Sequence, residues 1–324
     1  MDNAKMFYTF CQNSIEAKDV DPSIWLSNYI VERQELNNDQ VLWFCFLCSI
    51  TYQLPTAYLI WNEYPDLELA GIERLSDWWE RAQKKCPFQT DKLKQRKYLP
   101  ETVASYKELV GESQSSYFNN LLSSKDPLEN FNRLWNPLKS IRHFGRFSVW
   151  NWAQMLKHVA RYNIEPTKLM LGERDSVSFT DGLCYAFGHE EFVSYRRDGK
   201  KHLHSFSQIE KDTVEEESIR FKEELYNRTG TRIDNFELET LACAFKKIFR
   251  NKDSRYVGYY LDRQAEDIIN TSKHWDGVSW DLLWEGREES LNSMYNNISV
   301  DKRLFNLPTN NKILKTPRDL LKHV

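Results

Sequence analysis

The chain has 324 residues, 41% of them hydrophobic and 28% charged, with a net charge of −3, ordinary proportions for a folded globular protein. No apolar run reaches the roughly 18 residues that span a bilayer and no signal peptide opens the chain, so no membrane partner is expected. Six scattered cysteines point to reduced thiols in a cytoplasmic setting, and a content of only 11 Gly and 10 Pro favours a mainly α fold over a turn-rich sandwich. The 11 Trp, 16 Tyr and 18 Phe are more rings than a core of this size needs, which leaves some to stack on a planar ligand.

Asp21-Pro22 opens a helix through Ile24, Trp25, Tyr29 and Ile30, with Pro22 in its first turn. A long apolar helix follows from about Asp39 to Tyr52 and is broken by Leu54-Pro55-Thr56. It carries Cys45 and Cys48, but no second cysteine pair or paired histidines lie nearby, so no metal site is expected. Residues 56–63 continue the core, and Leu75 to Gln83 forms an amphipathic helix with Trp78 and Trp79. From Lys84 to Lys97 six basic residues face only Asp91. That run reads either as a solvated loop or as a phosphate contact through Lys92, Lys94, Arg96 and Lys97. Pro100 starts a helix towards Val110.

Residues 128–141 (Leu128, Phe131, Leu134, Trp135, Leu138, Ile141) run amphipathically into a turn centred on Gly145. Ser148 stands where it caps a second helix, Val149 to Tyr162. A glycine turn between two helices, flanked by Arg142, His143 and Arg146, is one way to offer backbone N–H groups to a nucleic-acid phosphate. The plainer alternative is an ordinary helical hairpin with a glycine stop. Beyond it, Ser176 to Gly188 reads as a short helix. Residues 194–208 form a β-hairpin turning at Asp198-Gly199, the strongest strand signal in the chain. The acidic run Glu210 to Glu217 is a solvated helix face. Helices follow at about 214–227, 235–250, 258–270 and 279–296, and the last fifteen residues (310–324) fray. The whole reads as one two-lobed helical domain, residues 1–324, with the hairpin region at about 126–165.

Four segments in order carry a resemblance. They are Leu42-Trp-Phe-Cys-Phe-Leu-Cys-Ser-Ile-Thr-Tyr-Gln-Leu-Pro-Thr56; Thr90-Asp91 with the basic run to Pro100 and Ser105-Tyr106; Phe144-Gly-Arg-Phe-Ser148 with Gly182-Leu-Cys-Tyr185; and Arg255-Tyr-Val-Gly-Tyr-Tyr-Leu-Asp-Arg263. Over roughly residues 20–290 the chain resembles the bacteriophage amino acid:DNA transferases, formerly α-glutamyl/putrescinyl thymine pyrophosphorylases. The resemblance implies a fold related to helix-hairpin-helix DNA glycosylases. It also implies an activity that displaces a phosphate ester from 5-hydroxymethyluracil in phage DNA with the amine of an amino acid. The glycosylase hairpin (apolar-Pro-Gly-apolar-Gly-x-x-Thr-Ala) is only partly kept. Gly145 matches, His143 replaces the first glycine, and the window where glycosylases place an aspartate holds Glu165 instead.

Such a displacement needs a stabilised leaving group, a deprotonated amine and both reactants held in line. Lys92, Lys94, Arg96, Lys97, Arg142 and Arg146 are candidates for phosphate, with Gly145 and Ser148 contributing the hairpin backbone and hydroxyl. Asp91 or Asp181 is the expected base, with His143 as the outsider; Asp91 also reads as an ion-pair anchor and Asp181 as a helix cap. Arg255, Tyr259 and Arg263 fall on one helical face at i, i+4, i+8, and with Asp262 they are candidates for the amino acid, or else a surface salt-bridge ladder. Tyr52 and Trp150 are candidates for base stacking, as are Trp61 and Trp152, although Trp at helical spacing is usually core. The expected partners are double-stranded phage DNA carrying phosphorylated 5-hydroxymethyluracil and a free amino acid, in the infected cell's cytoplasm, with no cofactor and no metal. Two rivals stand beside this reading: a glycosylase acting on a modified base, and a non-catalytic DNA-binding accessory of the kinase that makes the ester. No G-x-x-x-x-G-K-[ST] occurs, so the chain is not itself a P-loop kinase.

Overall fold

The structure is a computed structural model that describes residues 3–89, 92–172, 176–193, 195–198, 201–248, 255 and 257–290. Among these the protein is mainly α, with one short antiparallel β pair. No helix is long and apolar enough to cross a membrane. The expected fraying tail, Asp91 and the tip of the β-hairpin at Gly199 lie outside the described residues. The chain divides into two compact units, one of residues 23–166 and 263–290, the other of residues 1–22, 167–262 and 291–324.

The first unit contains α2 (Pro22–Arg33), α3 (Asn38–Thr51), α4 (Leu54–Glu63), α5 (Ile72–Ala82), α6 (Leu93–Lys97), α7 (Leu99–Val110), α8 (Gln114–Leu121), α9 (Pro127–Lys139) and α10 (Arg146–His158). Most of α14 (Tyr259–Ser272) and α15 (Asp281–Ser290) complete it. Helix α3 is buried continuously from Val41 to Thr51, which explains why its sequence is apolar all round rather than striped. Asn37 and Gln40 close a reciprocal capping box at its start. Tyr52 ends it in the left-handed conformation, φ 49°, and α4 restarts two residues later with Pro55 in its first turn. Around Phe46 the core is built of rings: Tyr106 stacks at 3.9 Å, Phe144 at 5.8 Å, and Trp152 meets it edge-on at 5.2 Å. Burying a side chain of this size contributes roughly 2–3 kcal/mol, so this cluster is a principal source of the unit's stability.

The second unit contains α1 (Asn3–Glu16), α11 (Val177–Phe187), the pair β1 (Tyr195–Asp198) and β2 (Lys201–His204), α12 (Gln208–Thr229), α13 (Asn235–Ile248) and the first turn of α14. The β pair forms where the sequence places a hairpin, with Tyr195 opposite His204 and Asp198 opposite Lys201, so Asp198 is a paired strand residue and not the first residue of the turn as expected. Phe7 of α1 packs against Phe221 at 4.7 Å and Phe245 at 4.9 Å. Helices α11 and α13 touch backbone to backbone. A Cβ on Gly182 would lie 2.0 Å from the Ala242 carbonyl oxygen, so only glycine fits there. Gly188 closes α11 in the left-handed conformation, as the sequence predicts.

Several boundaries differ from expectation. Helix α10 begins at Arg146 rather than Val149, and Gly145, not Ser148, is its N-cap. The basic run is a loop only in part: Gln83–Lys85 is a 3-10 turn, residues 86–89 are irregular and Leu93–Lys97 is helical. Helix α14 starts at Tyr259, so Arg255 precedes the helix and the i, i+4, i+8 face does not form. The buried helix α1 has no counterpart among the elements expected from the sequence.

Candidate functional site

In the first unit the hairpin turn brings three of the four sequence segments together. Asp126 caps α9 through the Leu128 amide, and Ile141 and Phe144 anchor the turn in the core. Between them His143 takes φ 67°, the left-handed region that favours glycine. Two contacts hold it there: its ring stacks on Tyr98 at 4.5 Å, and its carbonyl accepts from Gln95 Nε2 at 2.9 Å. This is how the chain does without the glycine that His143 replaces.

Ser148 lies inside the first turn of α10, and its hydroxyl is claimed elsewhere. It accepts from Lys92 Nζ at 2.9 Å and from Gln95 Nε2 at 3.0 Å. Lys92 is fully buried, and its ammonium also lies 4.6 Å from the Phe147 ring centre. In this conformation Lys92 and Ser148 therefore join the basic segment to the hairpin rather than facing outward to phosphate. Arg146 is likewise turned inward, 4% exposed, with its guanidinium 4.6 Å over Trp150. Trp150 is 2% exposed and Trp152 fully buried, so both are core walls with no face for a base. Arg96 donates to the Gln83 carbonyl at 2.8 Å and is a structural tie between α6 and the end of α5. The side chain of Lys94 lies outside the described residues, as does Asp91.

What remains open to solvent is a basic and aromatic surface. Arg142, His143, Gly145 and Lys97 are exposed, Lys97 lies 4.8 Å over Tyr98, and Tyr98 continues onto His143. The N-terminus of α10 beside them has no side-chain cap, although the Ser148 amide already donates to the Gly145 carbonyl at 3.1 Å, so the positive end of the helix dipole lies beside this surface. Tyr52 is half-buried, 5.6 Å from Phe147. The neighbouring Gln53 hydrogen-bonds Asp267, which pairs with Arg263 at 3.2 Å. Burial raises the Asp267 carboxyl to about 6, against the opposing pull of Arg263 and the Gln53 hydrogen bond. Arg263 also reaches Glu266 at 3.7 Å, so it takes part in an acidic ladder along α14. Sequence reasoning misses Asp267; its spacing of i+4 from Arg263 is the available signal.

In the second unit Asp181 is fully buried in the middle of α11, where it pairs with Lys246 of α13. It caps no helix. Asp262 is 7% exposed and its amide bonds the Gly258 carbonyl at 2.9 Å. The start of α14 is capped from far away in sequence, by Asp19, whose carboxylate accepts from Gly258 N at 2.7 Å and Leu261 N at 3.0 Å. Burial lifts the Asp19 carboxyl to about 8 despite these donors. Arg255 lies 3.6 Å over the Tyr259 ring. Its Nε and Nη1 are buried without a hydrogen-bond acceptor. A buried donor left in that state costs about 1–3 kcal/mol, which an incoming anion would recover. Among the described residues no group of His, Cys, Asp and Glu stands ready to hold a metal ion.

The family model for amino acid:DNA transferases matches residues 16–253. The chain belongs to that family. A serinyltransferase of Salmonella phage ViI is 28% identical over 280 residues, covering 83% of this chain and 67% of the relative. No solved structure matches. The protein is thus an enzyme, a transferase between amino acids and DNA. The matched range contains both the hairpin and the Asp181–Lys246 pair.

Proposed function

We propose that this transferase couples a free amino acid, through its amine, to the phosphorylated or pyrophosphorylated 5-hydroxymethyl group of 5-hydroxymethyluracil in double-stranded phage DNA. The C–N bond forms at the exocyclic methylene carbon as the C–O bond breaks, and the electron pair leaves with the phosphate. The proton shed by the attacking amine passes to a base. Asp91, Asp181 and His143 remain candidates for that base, joined by Asp267, whose carboxyl burial raises to about 6. The reaction would run in the cytoplasm of the infected bacterium, and the modified base would shield phage DNA from host nucleases.

The observation that carries this reading is the exposed basic and aromatic surface at the hairpin, within a chain of this family. Arg142, Lys97 and the uncapped start of α10 suit a DNA backbone, and they sit where a helix-hairpin-helix protein would contact phosphate. The C5 substituent of a thymine-like base already projects into the major groove, so the chemistry does not itself demand base flipping. The relative's name makes serine the first donor to test.

The test incubates the purified protein with DNA carrying 5-phosphomethyluracil and a mixture of amino acids, then digests the DNA to nucleosides for mass spectrometry. A nucleoside heavier by one amino-acid residue is expected, and its mass names the donor. Abasic sites would instead return the chain to the glycosylases. Unmodified bases with tight DNA binding would make it an accessory.

A further inference from the structure

A second polar cluster lies in the unit of α11, α12 and α13, and only its Arg255 and Tyr259 belong to the candidate amino-acid site. Lys247 Nζ sits 3.0 Å from the sulfur of Cys243, one turn earlier on α13, and Cys243 Sγ sits 3.4 Å from Ser178 Oγ on α11. The Lys247 carbonyl accepts from the Arg255 amide at 3.1 Å, which brings the guanidinium to the same end of α13. Tyr259 and Tyr260 flank that guanidinium at 3.6 and 5.5 Å. All six side chains are partly exposed.

Asp19 and Asp21 lie close enough to act on Tyr260, yet the cations beside that ring lack ion-pair partners among the described residues. Among the described residues Lys246 has Asp181, but neither Lys247 nor Arg255 makes an ion pair. Two unpaired cations on adjoining backbone, a hydroxyl, and two buried guanidinium N–H groups without acceptors amount to a set of donors lacking its anion. In a chain of net charge −3, where carboxylates outnumber basic residues, such a set is not filled by default.

We propose that Arg255, Lys247 and Ser178 form a substrate oxyanion site, with Cys243 at its edge. Arg255 supplies the planar fork, held flat by Tyr259, and Lys247 supplies a mobile point charge. The shared ligand chemistry is a small oxyanion. Two sources fit, both resting on the function proposed above: the α-carboxylate of the amino acid, and the phosphate that the reaction displaces.

Cys243 provides the readout, because it is partly exposed while the other five cysteines are buried. Alkylation of native protein with iodoacetamide, followed by peptide mass spectrometry, would give the rate at Cys243, and the five buried thiols report any loss of folding. Inorganic phosphate, L-serine and glycine are added separately. The expected result is that at least one slows alkylation of Cys243 fivefold or more, and that Arg255→Gln and Lys247→Gln abolish the protection while the buried thiols stay unreactive. Protection by phosphate alone assigns the site to the displaced group, and protection by the amino acids alone assigns it to the donor. No protection by any of the three in the wild-type protein overturns the site. Transfer to phosphomethylated DNA is measured in parallel. Protection without transfer sinks the proposed reaction and leaves the site standing, whereas transfer with unchanged kinetics in both variants sinks the site alone.

Discussion

The two units surround their buried ionisable groups with different partners. In the hairpin unit the most deeply buried charge is a cation, Lys92, surrounded by a serine hydroxyl and the face of a phenylalanine, and the buried carboxyl Asp267 is paired with Arg263. In the other unit the buried groups are carboxyls: Asp19 beneath backbone amides, its own value raised to about 8, and Asp181 on a lysine, with the half-buried Glu215 taking the Leu169 amide at 2.8 Å. The hairpin unit is rich in aromatic rings, whose negative faces attract cations, whereas the second unit presents helix starts and loop amides, which are donors only. A cation wrapped in rings ties two segments together without fixing a protonation state near neutrality. Carboxylates buried against amides make their unit sensitive to pH.

Substitutions can break this contrast, the most severe first. Trp150→Ala should cost about 3–5 kcal/mol in denaturant unfolding, because it opens a large cavity in a ring-built core, and any loss of DNA affinity should track unfolding. A stable Trp150→Ala protein that had lost only base recognition would restore the stacking role. Gly182→Ala tests the close approach in the other unit. Its methyl would meet the Ala242 carbonyl oxygen, and since backbone cannot swing away, a loss of about 3 kcal/mol is expected by the same measurement. Ser148→Ala removes the acceptor shared by Lys92 and Gln95 and should cost roughly 1–3 kcal/mol, read as a lowered melting temperature.

Asp19→Asn sharpens the comparison through pH. The folded protein raises the Asp19 carboxyl from its ordinary value of 3.8 to about 8, and Glu215 from 4.5 to about 7. Between those limits the folded state holds protons that the unfolded state has released, so stability should fall as pH rises from about 4 to 8. Each group contributes a slope on the order of 1 kcal/mol per pH unit at most. In Asp19→Asn that dependence should be shallower, and unfolding curves across this range would detect it; an unchanged slope would mean that Asp19 is ionised throughout. The smallest effect is expected at the surface. Arg142→Ala should leave stability alone and flatten the salt dependence of DNA binding, by about 0.9 in the log–log slope for one lost phosphate contact.

Much of the helical framework was legible because its causes are local. Pro22 in the first turn of α2, Pro55 where α4 restarts and Gly188 after Phe187 each act within a few residues, whereas the equally local capping box of Ser207 with Glu210 starts α12 well before the expected 214. The uniformly apolar run of α3 announced a buried helix in the same way. The candidate site was legible only in part. Arg142, His143, Gly145 and Lys97 face solvent as a phosphate-binding hairpin requires, and Arg255 does sit beside Tyr259. Trp150, Lys92 and Arg146 turn inward instead, because a basic or aromatic residue in a short segment gives no sign of which side of the chain will be covered.

The sequence by itself determined the mainly helical class, the hairpin and its basic flank, the β pair, and membership in a family marked by four ordered segments. Tertiary structure alone decided which charges are buried and what they touch. Lys92 and Ser148 are 56 positions apart, and Asp19 reaches Gly258 across 239. The reason is physical: caps and periodicity act through neighbours along the chain, whereas desolvation and pairing depend on whatever the fold brings into contact, and no local pattern encodes that.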